Sequence, residues 1–119
     1  MEKLIIASFS AFLFVVTTAY AEVGYKKGQV KNMRLHRANL ANWEPPLFWF
    51  TLEGVTSAGS CPLWHGNVLF VGDSDQAMSF VLATYSSGKE LAVRFDDSVK
   101  TNGYCTAEYI TLGTPAPLN

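Results

Sequence analysis

Two cysteines, two histidines and three tryptophans carry most of the chemistry this 119-residue chain could offer. Cys61 lies four residues before His65, so a thiol activated by an imidazole is one arrangement to weigh. A disulfide between Cys61 and Cys105 is the other, and it would remove the only obvious nucleophile. Metal binding has little support. His36 and His65 do not share an H-x-x-x-H spacing and the cysteines do not form C-x-x-C, so a zinc ion would need ligands from distant points. Asp96, Asp97 and Asn102 could offer oxygens to calcium, but the twelve-residue loop with its closing glutamate is missing. Glu44, Glu53 and Glu108 are carboxylates that nothing pairs across a cleft, as glycoside hydrolysis requires. The serines lack a histidine–acid partner signature. No catalytic residue, metal or cofactor is therefore expected, and the chain does not read as an enzyme.

Binding chemistry is better represented. Trp43 sits between Asn42 and Glu44, and Trp64-His65-Gly66-Asn67 follows the Cys61-Pro62 turn. Aromatic faces offer stacking and nearby amides offer directional hydrogen bonds, a combination that suits sugars and small polar ligands. Trp43, Trp64, His65 and Asn67 are thus the candidate ligand residues. The competing reading makes Trp43, Trp49 and Trp64 packing residues of a small domain. Lys31, Arg34 and Arg37 form a second candidate, a basic strip for an anionic surface or an acidic partner. As a solvated edge strand they would instead deter edge-to-edge pairing.

The compartment follows from the beginning of the chain. Lys3 precedes an apolar run over residues 4–16, and Ala19 and Ala21 give the A-x-A pattern of a signal-peptidase site, with cleavage after Ala21. The run is short for a membrane anchor, which needs about 20 apolar residues. Residues 22–119 would then form one exported domain, secreted or periplasmic, with no stable membrane span. Two cysteines in such a domain read as a disulfide, because free thiols would not persist in an oxidising compartment. Glu2 and Lys3 leave together, so the net charge stays −1. That argues against a nucleic-acid binder, whose affinity leans on phosphate neutralisation.

Elements must hold these residues in place. Residues 22–29 read as a mobile lead-in, and residues 30–37 as a strand with Met33 and Leu35 on one face and Arg34 and His36 on the other. Pro45-Pro46 breaks the chain, because proline cannot donate to a ladder. Residues 47–52 form an aromatic strand with Phe48, Phe50 and Leu52 on one side and Trp49 and Thr51 on the other. Residues 54–66 read as a loop, and residues 67–71 as a third, nearly all-apolar strand. Asp73 with Gln76 predicts a capping box that starts a helix, and Gly88 a left-handed cap that ends it. Met78, Val81, Leu82 and Tyr85 share a wide apolar arc with Phe80 beside it, and no residue from Gln76 to Ser87 is charged. Such a helix is expected to be covered on both sides, either by the sheet and a loop or by a second copy of the chain over Asp75–Ser87. A strand over residues 89–97 alternates with Leu91, Val93 and Phe95 inward. Asn102-Gly103 turns into a last strand over residues 104–112, and a tail with Pro115 and Pro117 closes the chain.

Three strands, a helix and two strands give a mainly β, α+β chain. That is the element order of a five-stranded oligonucleotide/oligosaccharide-binding barrel with one helix between strands three and four. An open mixed sheet would give the same order. The segment Asp75-Gln76-Ala77, then Leu82-Ala83-Thr84-Tyr85-Ser86-Ser87-Gly88-Lys89, then Val93-Arg94-Phe95 and a cysteine-bearing strand, resembles the helix–Ser-Gly–strand region of small secreted B subunits of the subtilase-cytotoxin type. The resemblance implies a signal peptide, a disulfide, a barrel of this class, assembly into rings of five and glycan binding. It carries no site residue over, and it does not reach the amino-terminal half. The expected function is a secreted, non-enzymatic binding module for a cell-surface glycan. The alternative is an envelope accessory or inhibitor that contacts another protein through the basic strip.

Overall fold

The computed structural model describes residues 21–112. The leader up to residue 20 and the tail with Pro115 and Pro117 lie outside the described residues. The elements are β1 (Val23–Leu35), β2 (Phe48–Leu52), β3 (Leu63–Trp64), β4 (Asn67–Gly72), α1 (Asp75–Ser87), β5 (Glu90–Asp96), β6 (Lys100–Thr101), β7 (Tyr104–Thr106) and β8 (Tyr109–Leu112). The described residues are mainly β with one helix. Strand pairing runs β6-β7-β4-β2-β1-β5-β8, with β3 attached to β4, and the two ends of this order do not pair, so the sheet is open.

The long β1 organises the sheet. Its first half, from Val23 to Gln29, pairs with β5, and its second half, from Val30 to Leu35, pairs with β2. The expected lead-in is therefore ladder, because β5 supplies a partner that local composition cannot reveal. The handover is tight. A Cβ on Gly28 would lie 2.8 Å from the Glu53 carbonyl oxygen, and the register slips between Val30 and Asn32. A bulge of this kind bends a strand and sharpens its twist. That lets one strand serve both halves of the sheet.

The inner face of the sheet forms the main core. Phe48, Phe50 and Leu52 of β2 meet Val68 and Phe70 of β4 and Leu91, Val93 and Phe95 of β5, all almost fully buried. The inward trio expected over residues 89–97 is what the structure shows, although Ala92 between Leu91 and Val93 is buried as well. Val81 seals this core from above. Each such large apolar side chain contributes about 2 kcal/mol by leaving water.

The helix begins one residue later than the capping box predicts. Ser74 is the cap, and its hydroxyl oxygen accepts from the Ala77 amide at 3.0 Å. Gly88 ends α1 in the left-handed conformation, as expected, with φ of 68°. Only Val81 and Thr84 are buried, with Ala77 and Met78 packed beside them. Phe80, Leu82 and Tyr85 are about half exposed, at 48%, 52% and 54%. Half the apolar arc is uncovered in the single chain.

Two other expectations need adjustment. The strand over residues 104–112 is broken at Ala107 and Glu108: β7 runs parallel to β4, while β8 runs antiparallel to β5. The loop over residues 54–66 contains a real hairpin, β3–β4, closed by His65 and Gly66 at positive φ. Paired turn residues with φ > 0 match the twist of a two-residue hairpin. Asn102 and Gly103 make the expected turn in the same way between β6 and β7.

Cys61 and Cys105 are joined, as the sequence predicts, across a separation of 44 residues. Closing a loop of that length stabilises by about 4 kcal/mol in the chain-entropy model. Cys61→Ser or Cys105→Ser is expected to lower the melting temperature by about 15 °C or more. Equal melting with and without reductant would contradict a structural role. Gly72→Ala is expected to cost about 3 kcal/mol in a denaturant titration, because its Cβ would lie 2.2 Å from the buried Phe48 ring.

Candidate functional site

The outer face of β2 and β4 is apolar too. Trp49, Leu69 and Val71 are buried there, under Trp43, Leu47, Trp64 and Tyr104. Among the described residues no helix covers this side. The cover comes from the loop after β1, from the β3–β4 hairpin and from β7. The Trp49 and Trp64 rings lie 4.6 Å apart at 54°. Trp64 also meets the exposed His65 ring edge-on at 4.1 Å.

Arg34 completes the face. It pairs with Trp49 across the β1–β2 ladder, so their side chains share one side of the sheet. Its guanidinium carbon lies 4.8 Å from the Trp49 ring centre and 5.7 Å from that of Trp64. Among the described residues no carboxylate pairs with Arg34, whose contacts are these two indoles. A guanidinium stacked this way keeps its in-plane N–H donors available. The arrangement can stack a flat or ring-shaped apolar face and donate several hydrogen bonds beside it.

Trp43 lies at the margin. It stacks on His36 with centroids 5.3 Å apart and planes 25° apart. His36 Nε2 is buried there without a hydrogen-bond partner. Such a group costs about 1–3 kcal/mol, a cost that opening the loop to water would relieve. The Asn102 amide donates to the Asn42 carbonyl, so the loop after β1 is tied to the β6–β7 turn.

The sequence-predicted residues thus divide. Trp64 and His65 sit on the face, and Trp43 borders it. Asn67 is put to a different use. It is buried, its amide donates to the Leu52 carbonyl at 3.0 Å and the Val55 carbonyl at 3.4 Å, and its carbonyl accepts from Lys31 Nζ at 3.3 Å. Its side-chain amide and carbonyl are both engaged in locking the hairpin. The basic strip is also divided. Arg34 stacks on tryptophan, Lys31 turns toward Asn67, and Arg37 is exposed beyond the end of β1. Sequence reasoning missed Arg34 as an aromatic partner, and also Trp49 and Tyr104. The available signal was parity, since Arg34 and Trp49 each occupy the outward side of their own strand.

A second polar cluster lies on the outer face of β1, β5 and β8. Tyr25, Arg94 and Tyr109 form one cross-strand row. The two phenol oxygens are 2.6 Å apart, and Arg94 Nη1 donates to the Tyr25 oxygen at 3.0 Å. The hydrogen bond from Tyr109, with help from Arg94, holds the Tyr25 hydroxyl below the usual phenol range. Burial, and the hydrogen bond with Tyr25, push Tyr109 up. The hydrogen bond to Tyr25 raises Arg94. The chemistry here is internal: each polar group serves another.

No protein-family model, curated protein or solved structure matches this chain.

Tyr25 with its lowered value favours the fold increasingly as pH rises toward the ordinary phenol range, and Tyr109 with its raised value does the reverse, so their effects on stability oppose. Tyr109→Phe removes the main cause of the Tyr25 shift. In carbon-13 tyrosine NMR, Tyr25 is expected to titrate at higher pH in this variant. An unmoved Tyr25 would exclude the phenol pair as the cause.

Proposed function

We propose that the chain is a secreted, non-enzymatic module that binds a carbohydrate on the outer face of β1, β2 and β4. The stacking of Arg34 across Trp49 and Trp64 carries this reading. Sugar recognition combines an aromatic platform with planar, directional donors, and both are in place before any ligand arrives. A site already ordered by a hairpin lock and a disulfide loses little entropy on binding. The disulfide is compatible with an exported protein.

In fold terms we read the sheet as an oligonucleotide/oligosaccharide-binding-like barrel. Support comes from the carboxyl-terminal segment, whose two halves β7 and β8 reach opposite ends of the strand order. At the junction the Ala107 amide donates to the Val71 carbonyl of β4 and the Glu108 amide to the Arg94 carbonyl of β5. In barrels of that class the second and third strands and the adjacent loops bind the ligand. Here the corresponding strands are β2 and β4, with the loop after β1 and the β6–β7 turn alongside.

A second reading concerns assembly. Met33, Leu35, Met78, Leu82 and Tyr85 line an apolar groove of about 480 Å³ between β1 and α1. This groove favours a second copy of the chain docking through Asp75–Ser87. An envelope protein that contacts Lys31 at its rim is the alternative partner.

Glycan-array screening followed by tryptophan-fluorescence titration tests the binding reading. Trp64→Ala is expected to weaken binding by about 2 kcal/mol, a roughly thirtyfold rise in Kd, while leaving the fold intact. A blank array would count against a sugar ligand. Sedimentation of the exported protein tests assembly: an oligomer that Leu82→Glu disperses is expected, and a strict monomer at high concentration would end that reading.

A further inference from the structure

The end of β5 and the start of β1 meet at a small acidic junction. The Glu22 amide nitrogen lies 2.9 Å from Asp97 Oδ1, and the Asp97 amide donates back to the Glu22 carbonyl at 3.0 Å. The other oxygen of Asp97 accepts from the Ser60 amide at 2.8 Å, one residue before the disulfide. Asp97 is 9% exposed. The Gly59 backbone presses against both carboxylates of the junction. A Cβ on Gly59 would fall 2.4 Å from Asp97 Oδ2 and 2.9 Å from Glu22 Oε2. The charges facing Asp97 are the Glu22 carboxylate, Asp96 and Lys100. Three acids thus share two neighbouring cations, Lys100 beside Asp97 and Arg94 beside Asp96.

Glu22 is also the residue that follows the A-x-A pattern at Ala19 and Ala21. We propose that processing between Ala21 and Glu22 converts this amide nitrogen into an α-ammonium that pairs with Asp97 and completes the fold. Hydrolysis of that peptide bond by water leaves a carboxylate on Ala21 and the new ammonium on Glu22. The nitrogen already sits at hydrogen-bond distance from the carboxylate, so the charge appears where a charge-assisted bond can form without rearrangement. It would also offset the excess of acid at the junction. The new terminus then ties together β1, β5 and the loop that carries Cys61. Any other cleavage point leaves an uncharged amide at this position or removes Glu22.

The proposal rests on the reading of residues 1–21 as a removable leader, and two measurements separate the parts. Intact mass and amino-terminal sequencing of the protein exported from the full chain report the cleavage point, which is expected at Glu22. Any other terminus overturns the proposal at that step. Thermal melting then compares protein beginning at Glu22 with protein that retains Ala21, each also as Asp97→Asn. The Glu22 form is expected to melt about 4 °C or more above the Ala21 form at pH 7. An ammonium held by a carboxylate titrates above its ordinary value of about 8. Its stabilisation is therefore complete below that value and is lost as pH rises through the higher, folded one. The difference is expected to vanish by about pH 10, and to be absent in the Asp97→Asn pair. Equal melting of the Glu22 and Ala21 forms across this range would overturn the ion pair even if the cleavage point is right.

Discussion

The burial of both faces of β2 and β4 is the constraint on which the rest of the structure depends. Every residue of Phe48–Leu52 and of Asn67–Gly72 is buried. Strands of this kind normally lie between two helical layers. Among the described residues there is one helix, and it lies over the inner face. The outer face must therefore be covered by whatever loops and turns can bring, and those bring Trp43, Leu47, Trp64 and Tyr104. The candidate binding residues are thus also the lid of a core. Of the two readings of the tryptophans, packing is the one the contacts show directly. Trp49 packs, Trp64 packs against it while only partly buried, and Arg34 lies across both.

A lid made of loops is useful only if the loops are fixed. Several constraints fix them here. The β3–β4 hairpin is closed by a tight turn and locked by Asn67 to the carbonyls of residues 52 and 55. The Cys61–Cys105 bridge ties the approach to that hairpin to β7, the strand that contributes Tyr104. Asp97 holds Ser60 and Glu22 together a few residues away. Each of these acts on backbone rather than on the aromatic rings. The rings are therefore positioned indirectly, and a ligand would meet a surface that does not have to be assembled.

The sequence made the inner core legible because its signal is local. Alternation of Leu91, Val93 and Phe95, the turn at Asn102-Gly103 and the left-handed cap at Gly88 all depend on near neighbours. The disulfide was legible by counting, since two cysteines permit one internal bond. What failed depended on distant partners. Residues 23–29 are polar and glycine-rich, yet they form ladder because β5 lies beside them. Asn67 looked like a ligand contact because its partners, the carbonyls of residues 52 and 55, are invisible in composition. Arg34 read as part of a cationic strip because cross-strand register, which puts it on Trp49, is set by the bulge at Val30. The helix start moved from Asp73 to Ser74 because two capping residues stand side by side, and the local sequence does not choose between them.

Strand β1 also explains how two contact surfaces can coexist on so small a domain. Successive side chains in a strand point to opposite faces. Met33 and Leu35 face the groove beside α1, while Arg34 between them faces the tryptophans. An assembly formed through the groove would leave the aromatic face open on every copy. The two proposed uses of the chain therefore do not compete for the same atoms. Repeating one modest site on a rigid assembly raises overall avidity by a factor of about 10² or more without new contacts in the site itself. A single aromatic platform with one arginine would be a small site for the proposed sugar, and multiplication by assembly would be the physical route by which such a site holds a surface.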